Sequence, residues 1–160
     1  MDSIKNKKIL VPLLLLMLLF SILIINIFSQ KLDNDNKDIQ LKEVKFLSSS
    51  SNQYITLLVE VPNKENYGIG LSNKDKLDNQ GMLFKFENQN KYRGFSMKNT
   101  KINLSIAFIN SKKIIVDIQE MEAGYQTIYT SKFLFLYAIE APEKWFQKNN
   151  IKPGDSVTLP

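Results

Sequence analysis

The side chains that could support chemistry in this sequence lie at two places, a polar corner and a single carboxylate. The corner is Lys98-Asn99-Thr100, and the carboxylate is Glu140, which closes an apolar run. A cation beside two polar groups can hold a carboxylate or another anion, but asparagine and threonine at a corner more often close a turn through side-chain hydrogen bonds. A glutamate at a strand end is expected to be partly buried and paired, to lie at the rim, or to bind a ligand.

Two residue types that many enzymes and metal sites use are missing. The chain has no histidine and no cysteine, which excludes disulfides, zinc-thiolate sites and a thiol nucleophile. No carboxylates have the spacing of a catalytic pair or a metal site, so we expect no metal, no cofactor and no catalytic residue. The formal net charge is +5 with the lysines scattered, so no nucleic-acid partner is expected.

The N-terminal segment predicts a membrane anchor. Residues 1–8 are basic, and Ile9–Phe28 is an apolar run of the length that crosses a bilayer as a helix. The lysines before it predict a cytoplasmic N-terminus and an extracytoplasmic C-terminal domain in a single-pass membrane protein. A cleaved signal peptide remains the alternative, and the domain would then be secreted. Residues 29–40 are polar and predict a flexible tether, followed by a β-domain over residues 41–160.

The rest of the chain has the period-two alternation of half-buried strands. It is clearest in the central stretch of residues 81–110, and a run at residues 133–139 is apolar on both faces. Residues 122–130 are expected to be a loop, and Pro142 is expected in the first turn of a short C-terminal helix. The pattern predicts a mainly β fold, a β-sandwich or partly closed barrel of jelly-roll-like character. Gly68, Gly70 and Gly81 are expected at positive φ.

Five separate blocks in this order resemble one family, domain of unknown function 192: GLSNKDKL, QGMLFKF, SMKNTKINLSIAFIN, Glu140 and IKPGDSV. The resemblance covers about Val59 to Leu159. It implies a single compact β-rich domain, often preceded by a signal or an anchor, and it implies no reaction or cofactor. The positions that keep the family pattern are the structural motif Gly81, Met82, Leu83, Phe84 and Met97, and the candidate ligand-binding residues Lys98, Asn99, Thr100 and Glu140.

The resemblance also shows departures. Ser96 stands where the family usually has tryptophan, and Ser105 and Asn110 stand where it has aspartates, so a family site that used those carboxylates would be lost or changed. Because Lys98 and Glu140 both keep the pattern, we hypothesise that they pair.

The leading expectation for function is a non-enzymatic binding or interaction module at the cell envelope, for an unknown small ligand or envelope protein. One alternative is an enzyme with a carboxylate-lysine site at Glu140 and Lys98. The other is a structural or assembly partner, which predicts an exposed apolar patch.

Overall fold

The computed structural model describes residues 16–29, 40–72, 74–77 and 80–160, and the chain divides into two units, residues 1–39 and 40–160. In the first unit, residues 16–29 form helix α1, whose apolar side chains are exposed. Within the described ranges, no helix has both the length and the apolar character that a bilayer crossing requires. The basic segment 1–8, the first part of the run 9–28 and most of the tether 29–40 lie outside the described residues, so the anchor stays a prediction.

The second unit is built on a seven-stranded sheet. Its strands are β1 (Lys42–Ser48), β2 (Gln53–Glu60), β3 (Gln80–Asn90), β5 (Leu104–Ile109), β6 (Ile115–Met121), β8 (Phe135–Pro142) and β9 (Ser156–Thr158). They lie in the order β6-β5-β8-β3-β2-β1-β9, in which β2 and β3 are parallel and the other neighbours are antiparallel. The strands β4 (Phe95–Ser96) and β7 (Ile128–Tyr129) form a separate two-stranded sheet.

The mainly β fold with a short C-terminal helix, α2 (Trp145–Lys148), is confirmed. The sheet is not closed into a barrel. A single bridge between Ile114 and Ser156 joins the segment before β6 to β9, the strand at the other edge.

Both faces of the sheet are covered, because alternate residues of the central strands point to opposite sides. Leu83 belongs to one apolar cluster and Phe84 to the other. Helix α2 covers the first face, where the Phe46 and Phe146 ring centroids are 5.7 Å apart. The second face is covered by the β2–β3 crossover, which contains the short 3₁₀ helix Lys64–Asn66, and by β4 with β7. The motif residues Met82 and Met97 are buried in this second cluster.

Gly81 is required for a different reason from the expected one. Positive φ occurs at Gly70, but not at Gly68 or Gly81, so that expectation was wrong for the latter two. A Cβ on Gly81 would collide with the backbone oxygen of Glu140 and lie 3.0 Å from Leu57 Cδ2. Glycine is therefore needed where β3 approaches β8 closely.

Two expectations about element boundaries were wrong. Pro142 does not begin a helix: it ends β8, because residues 141 and 142 still pair with β5, and α2 starts at Trp145 after Lys144 at φ 58°. Residues 122–130 are not all loop, since β7 pairs with β4. Both strands of that pair have only two residues, too few for an alternation to be visible.

Candidate functional site

Glu140 lies in the centre of the sheet. Its strand β8 runs between β3 and β5, where Glu140 is opposite Met82 on one side and Ile106 on the other. The alternation of side chains puts it on the second face, with Ala138. Because that face is covered, Glu140 is only 7% exposed. The expectation of a buried carboxylate is met, but β8 continues to Pro142, so Glu140 does not end the strand, and the expected pair is not formed.

The Glu140 carboxyl group is unusual because it is buried without compensation. Its Oε2 atom has no hydrogen-bond partner among the described residues. Burial alone raises the pKa of Glu140 to about 7, because the apolar surroundings disfavour the charged form and no nearby cation offsets this. Buried polar groups in native proteins are nearly always hydrogen-bonded, so this one needs an explanation.

Glu140 faces a cleft of about 410 Å³ on the second face of the sheet. Exposed residues such as Ile69 and Ser96 at its edge leave the cleft open to solvent. Its walls come from the crossover, from β3, from the segment leading into β4 and from the polar corner. The lining residues are Tyr67, Gly68, Ile69, Gly70, Leu71, Ser72, Phe84, Phe86, Arg93, Gly94, Phe95, Ser96, Thr100 and Glu140.

The crossover loop is fixed over Glu140 by Tyr67 and Gly70. The Tyr67 hydroxyl accepts a hydrogen bond from the Lys85 backbone N–H and donates one to the Lys85 carbonyl, both at 2.9 Å. The Lys85 backbone is available to this loop because β2 pairs with β3 only from Gln80 to Met82. Gly70 adopts φ +50°, and a Cβ there would lie 3.8 Å from Glu140 Oε2. Glycine thus permits the turn that brings the loop down to the carboxyl group.

Four of the residues that line the cleft are aromatic, and their rings contact one another in a closed series. Tyr67 contacts Phe84 and Phe86, with ring centroids 5.2 and 5.7 Å apart. Phe95 contacts the same two phenylalanines at 5.3 and 6.4 Å. Adjacent rings meet at 69° to 88°, the edge-to-face geometry that aromatic pairs prefer. The Arg93 guanidinium lies 4.3 Å from the Phe86 ring centroid.

The polar corner is divided between two cavities. Thr100 is buried and lines the Glu140 cleft. Lys98 and Asn99 are exposed and line a separate cavity of about 470 Å³, to which Thr100 also contributes. No ion pair joins Lys98 to Glu140, so the hypothesised pair is not formed, and the two groups do not face one cavity.

The corner is closed by backbone hydrogen bonds and by the Ser96 hydroxyl, which accepts from the Lys98 N–H at 3.3 Å, rather than by the side chains of Asn99 and Thr100. The Thr100 N–H donates to the Met97 carbonyl, and the Gly124 N–H donates to the Met97 and Thr100 carbonyls. The side chains of Asn99 and Thr100 are therefore not required to hold the turn.

The two positions at which the family usually has aspartate lie outside the cleft. The Ser105 hydroxyl donates to Glu120 Oε2 at 2.6 Å and accepts from the Lys144 N–H at 2.8 Å. Asn110 Oδ1 accepts backbone hydrogen bonds from Lys112 and Ile114 and holds the β5–β6 turn. Both residues thus have structural partners in this chain, and neither lines the Glu140 cleft.

Sequence reasoning missed most of the cleft wall. Tyr67, Gly70 and Arg93 were not candidate site residues, although the glycine-rich crossover was a signal that the backbone turns closely there. Among the residues that the structure describes, no three or more carboxylates are grouped so that they could hold a metal ion.

The comparisons with known proteins agree with this fold. The profile of the DUF192 family, described as an uncharacterized ACR, matches residues 47–159. A protein from Sinorhizobium meliloti 1021, described as a candidate transcription regulator, has a crystal structure that matches this fold with a TM-score of 0.70 and 24% sequence identity. The match covers 75% of this chain and 94% of that protein. The structure of a protein of unknown function from Novosphingobium aromaticivorans is 22% identical in sequence and has a TM-score of 0.69. The match covers 78% of this chain and 89% of that protein. No curated protein matches the chain by sequence. At these identities the two structures establish the fold alone.

Proposed function

This chain belongs to the DUF192 family of uncharacterized proteins, and from that premise we propose that it is a small-molecule-binding module of the cell envelope. The ligand would occupy the cleft over Glu140. The proposal concerns binding rather than bond-breaking, because the described residues that line the cleft offer one carboxyl group, one guanidinium group, hydroxyl groups and aromatic rings without a nucleophile-base pair.

The observation that carries the proposal is the buried Glu140 carboxyl group: it belongs to the lining of an open cleft, and its Oε2 has no hydrogen-bond partner among the described residues. Burying a carboxyl group without a hydrogen bond is unfavourable in any folded protein. A ligand that donates a hydrogen bond to this oxygen would remove the penalty, and the aromatic walls would bury its apolar part. The cleft also has the size and the mixed lining of ordinary small-molecule sites.

A thermal-shift screen of the full-length protein in a mild non-ionic detergent tests the proposal. The panel holds sugars, cell-wall fragments, amines, carboxylates, phosphates and divalent ions. A true ligand raises the melting temperature by an amount that grows with its concentration. The shift should be lost in Glu140→Gln and kept in Glu122→Gln, a matched change at an exposed carboxylate outside the cleft. A panel without any Glu140-dependent shift would count against a ligand site in the cleft.

We also propose that the domain lies outside the cytoplasm, on the anchor Ile9–Phe28. The basic residues before this run, and the exposed apolar side chains of helix α1 within it, support the assignment. Protease added to intact spheroplasts should digest an anchored external domain. A domain digested only after lysis would contradict the orientation, and release into the medium would indicate a cleaved signal.

A second candidate function, that of an assembly partner, is favoured by an exposed apolar patch. Tyr92, Ile128, Phe133 and Leu134 are each more than half exposed. They belong to neighbouring segments, because the Thr130 hydroxyl lies 2.8 Å from the carbonyl oxygens of both Lys91 and Arg93. Exposed apolar patches of this kind mark many protein contact sites. Crosslinks from position 134 to an envelope protein, lost in Phe133→Ser, would support this role.

A further inference from the structure

The lining of the Glu140 cleft narrows the class of ligand. Resting on the binding function proposed above, we propose that the cleft takes a small organic ammonium ion. Its positively charged nitrogen would lie beside Glu140 Oε2 and against the surrounding aromatic rings, and its apolar part would extend towards the cleft mouth.

The charge of the site favours a cation at its base. Among the described residues that line the cleft, the titratable or charged side chains are Glu140, Tyr67 and Arg93. The Tyr67 hydroxyl is already engaged by the Lys85 backbone. Arg93 stacks on Phe86. It also lines the adjoining cavity together with Glu87, whose carboxylate attracts the guanidinium group. The base of the cleft therefore presents an acceptor with no cation of the protein bound to it.

The aromatic rings favour an organic cation over a metal ion. A positive charge within about 6 Å of a ring centroid is attracted by the ring quadrupole. Tyr67, Phe84, Phe86 and Phe95 all line the cleft, and Arg93 shows that the Phe86 ring already accepts a cation at 4.3 Å. A divalent metal ion would instead need several oxygen ligands, and this wall supplies rings where those ligands would have to be.

The raised pKa of the buried Glu140 makes the binding of a cation depend on pH. With its pKa near 7, Glu140 is mostly protonated at pH 6 and mostly ionised at pH 8. An ammonium ion binds the ionised form, and a simple amine stays charged over this range. The dissociation constant should therefore be about tenfold smaller at pH 8 than at pH 6, with one proton released per ligand bound at the lower pH.

Probes of matched shape test the charge directly on the full-length protein in a non-ionic detergent. Choline is compared with its uncharged carbon isostere 3,3-dimethylbutan-1-ol and with the anion 3,3-dimethylbutanoate, and phenethylamine is compared with 2-phenylethanol. By titration calorimetry at pH 8, at least one cation should bind about tenfold or more tightly than its neutral isostere. Glu140→Gln should abolish this difference, and Glu122→Gln should keep it.

Phe95→Leu separates a role of the ring from a merely structural one. If the ring face holds the charge, this variant weakens the cation more than the neutral isostere; equal weakening of both would refute the aromatic contribution. Glu140-dependent binding of the neutral or anionic probes, with no preference for the cations, would overturn the ammonium class and leave the binding function standing. Failure of every probe here and of every ligand in the broad screen would overturn both proposals.

Discussion

Replacing Glu140 with glutamine should remove a pH dependence from the stability of the domain. In the folded protein the pKa of Glu140 is raised to about 7, whereas in the unfolded chain it is close to the ordinary value of 4.5. Between these two values the folded state holds a proton that the unfolded state has released. The free energy of unfolding therefore falls as pH rises from about 4.5 to 7, and this contribution is constant above pH 7.

The magnitude follows from the separation of the two pKa values. Each pKa unit corresponds to about 1.36 kcal/mol, so the raised pKa predicts a loss of roughly 3 kcal/mol between pH 4.5 and pH 8. Glutamine has nearly the same shape and does not titrate. Its amide adds a penalty in the buried site that does not depend on pH. The free energy of unfolding of Glu140→Gln minus that of wild type should therefore increase by roughly 3 kcal/mol as pH rises from about 4.5 to 8.

Urea unfolding at several pH values measures this difference. The single tryptophan, Trp145, packs against Phe46 with ring centroids 5.3 Å apart, so its fluorescence reports loss of the first-face cluster. Linear extrapolation gives the free energy of unfolding of each variant at each pH. Glu122→Gln serves as the control, and its free energy of unfolding should change with pH as that of wild type does. Parallel curves for wild type and Glu140→Gln would refute the assignment of a buried, unpaired carboxyl group.

Three further substitutions test the architecture of the cleft. Gly81→Ala should destabilise the domain by about 3 kcal/mol or more, because the new methyl group meets strand backbone that cannot move aside; unfolding by urea measures this, and a loss below 1 kcal/mol would contradict it. Tyr67→Phe removes the two hydrogen bonds to Lys85 and should cost about 1 to 3 kcal/mol. Limited proteolysis should then cut the crossover faster, and an unchanged rate would show that Tyr67 does not hold the loop. Ser96→Trp should weaken ligand binding about tenfold or more by filling the cleft mouth, and it should cost about 0.5 to 1.5 kcal/mol of stability because the Ser96 hydroxyl no longer accepts from the Lys98 N–H; unchanged affinity would show that the ligand does not pass Ser96.

The strands could be predicted from the sequence where their alternation is long enough to be visible. The runs around Met82 and Leu104 place one residue in two on each face, and the structure confirms a strand at both. Helix α2 could not be placed correctly because Pro142 is compatible with a first helical turn as well as with a strand end. Its actual position is decided by the pairing of β8 with β5, a contact between distant parts of the chain.

The cleft could be predicted only in part. Thr100 and Glu140 were both candidate residues, and the structure brings them to one cavity, whereas it places Lys98 and Asn99 in another. The wall formed by residues 67–72 has no periodicity, and its position depends on the Tyr67 hydroxyl and on the end of the β2–β3 pairing at Met82. The absence of a partner for Glu140 is likewise a property of the assembled fold, which no local pattern encodes.

The position of β9 has a consequence for how the domain is made. Phe46 in β1 pairs with Val157 in β9, and the Val157 N–H also donates to the Lys113 carbonyl. The short strand β9 thus fastens the first strand of the domain to the segment before β6. These contacts cannot form until the ribosome has synthesised nearly the whole domain. Until then β1 and its hairpin partner β2 have an unpaired edge, and such high contact order slows folding. The edge of this hairpin is therefore open to wrong pairing with other chains until β9 has been made.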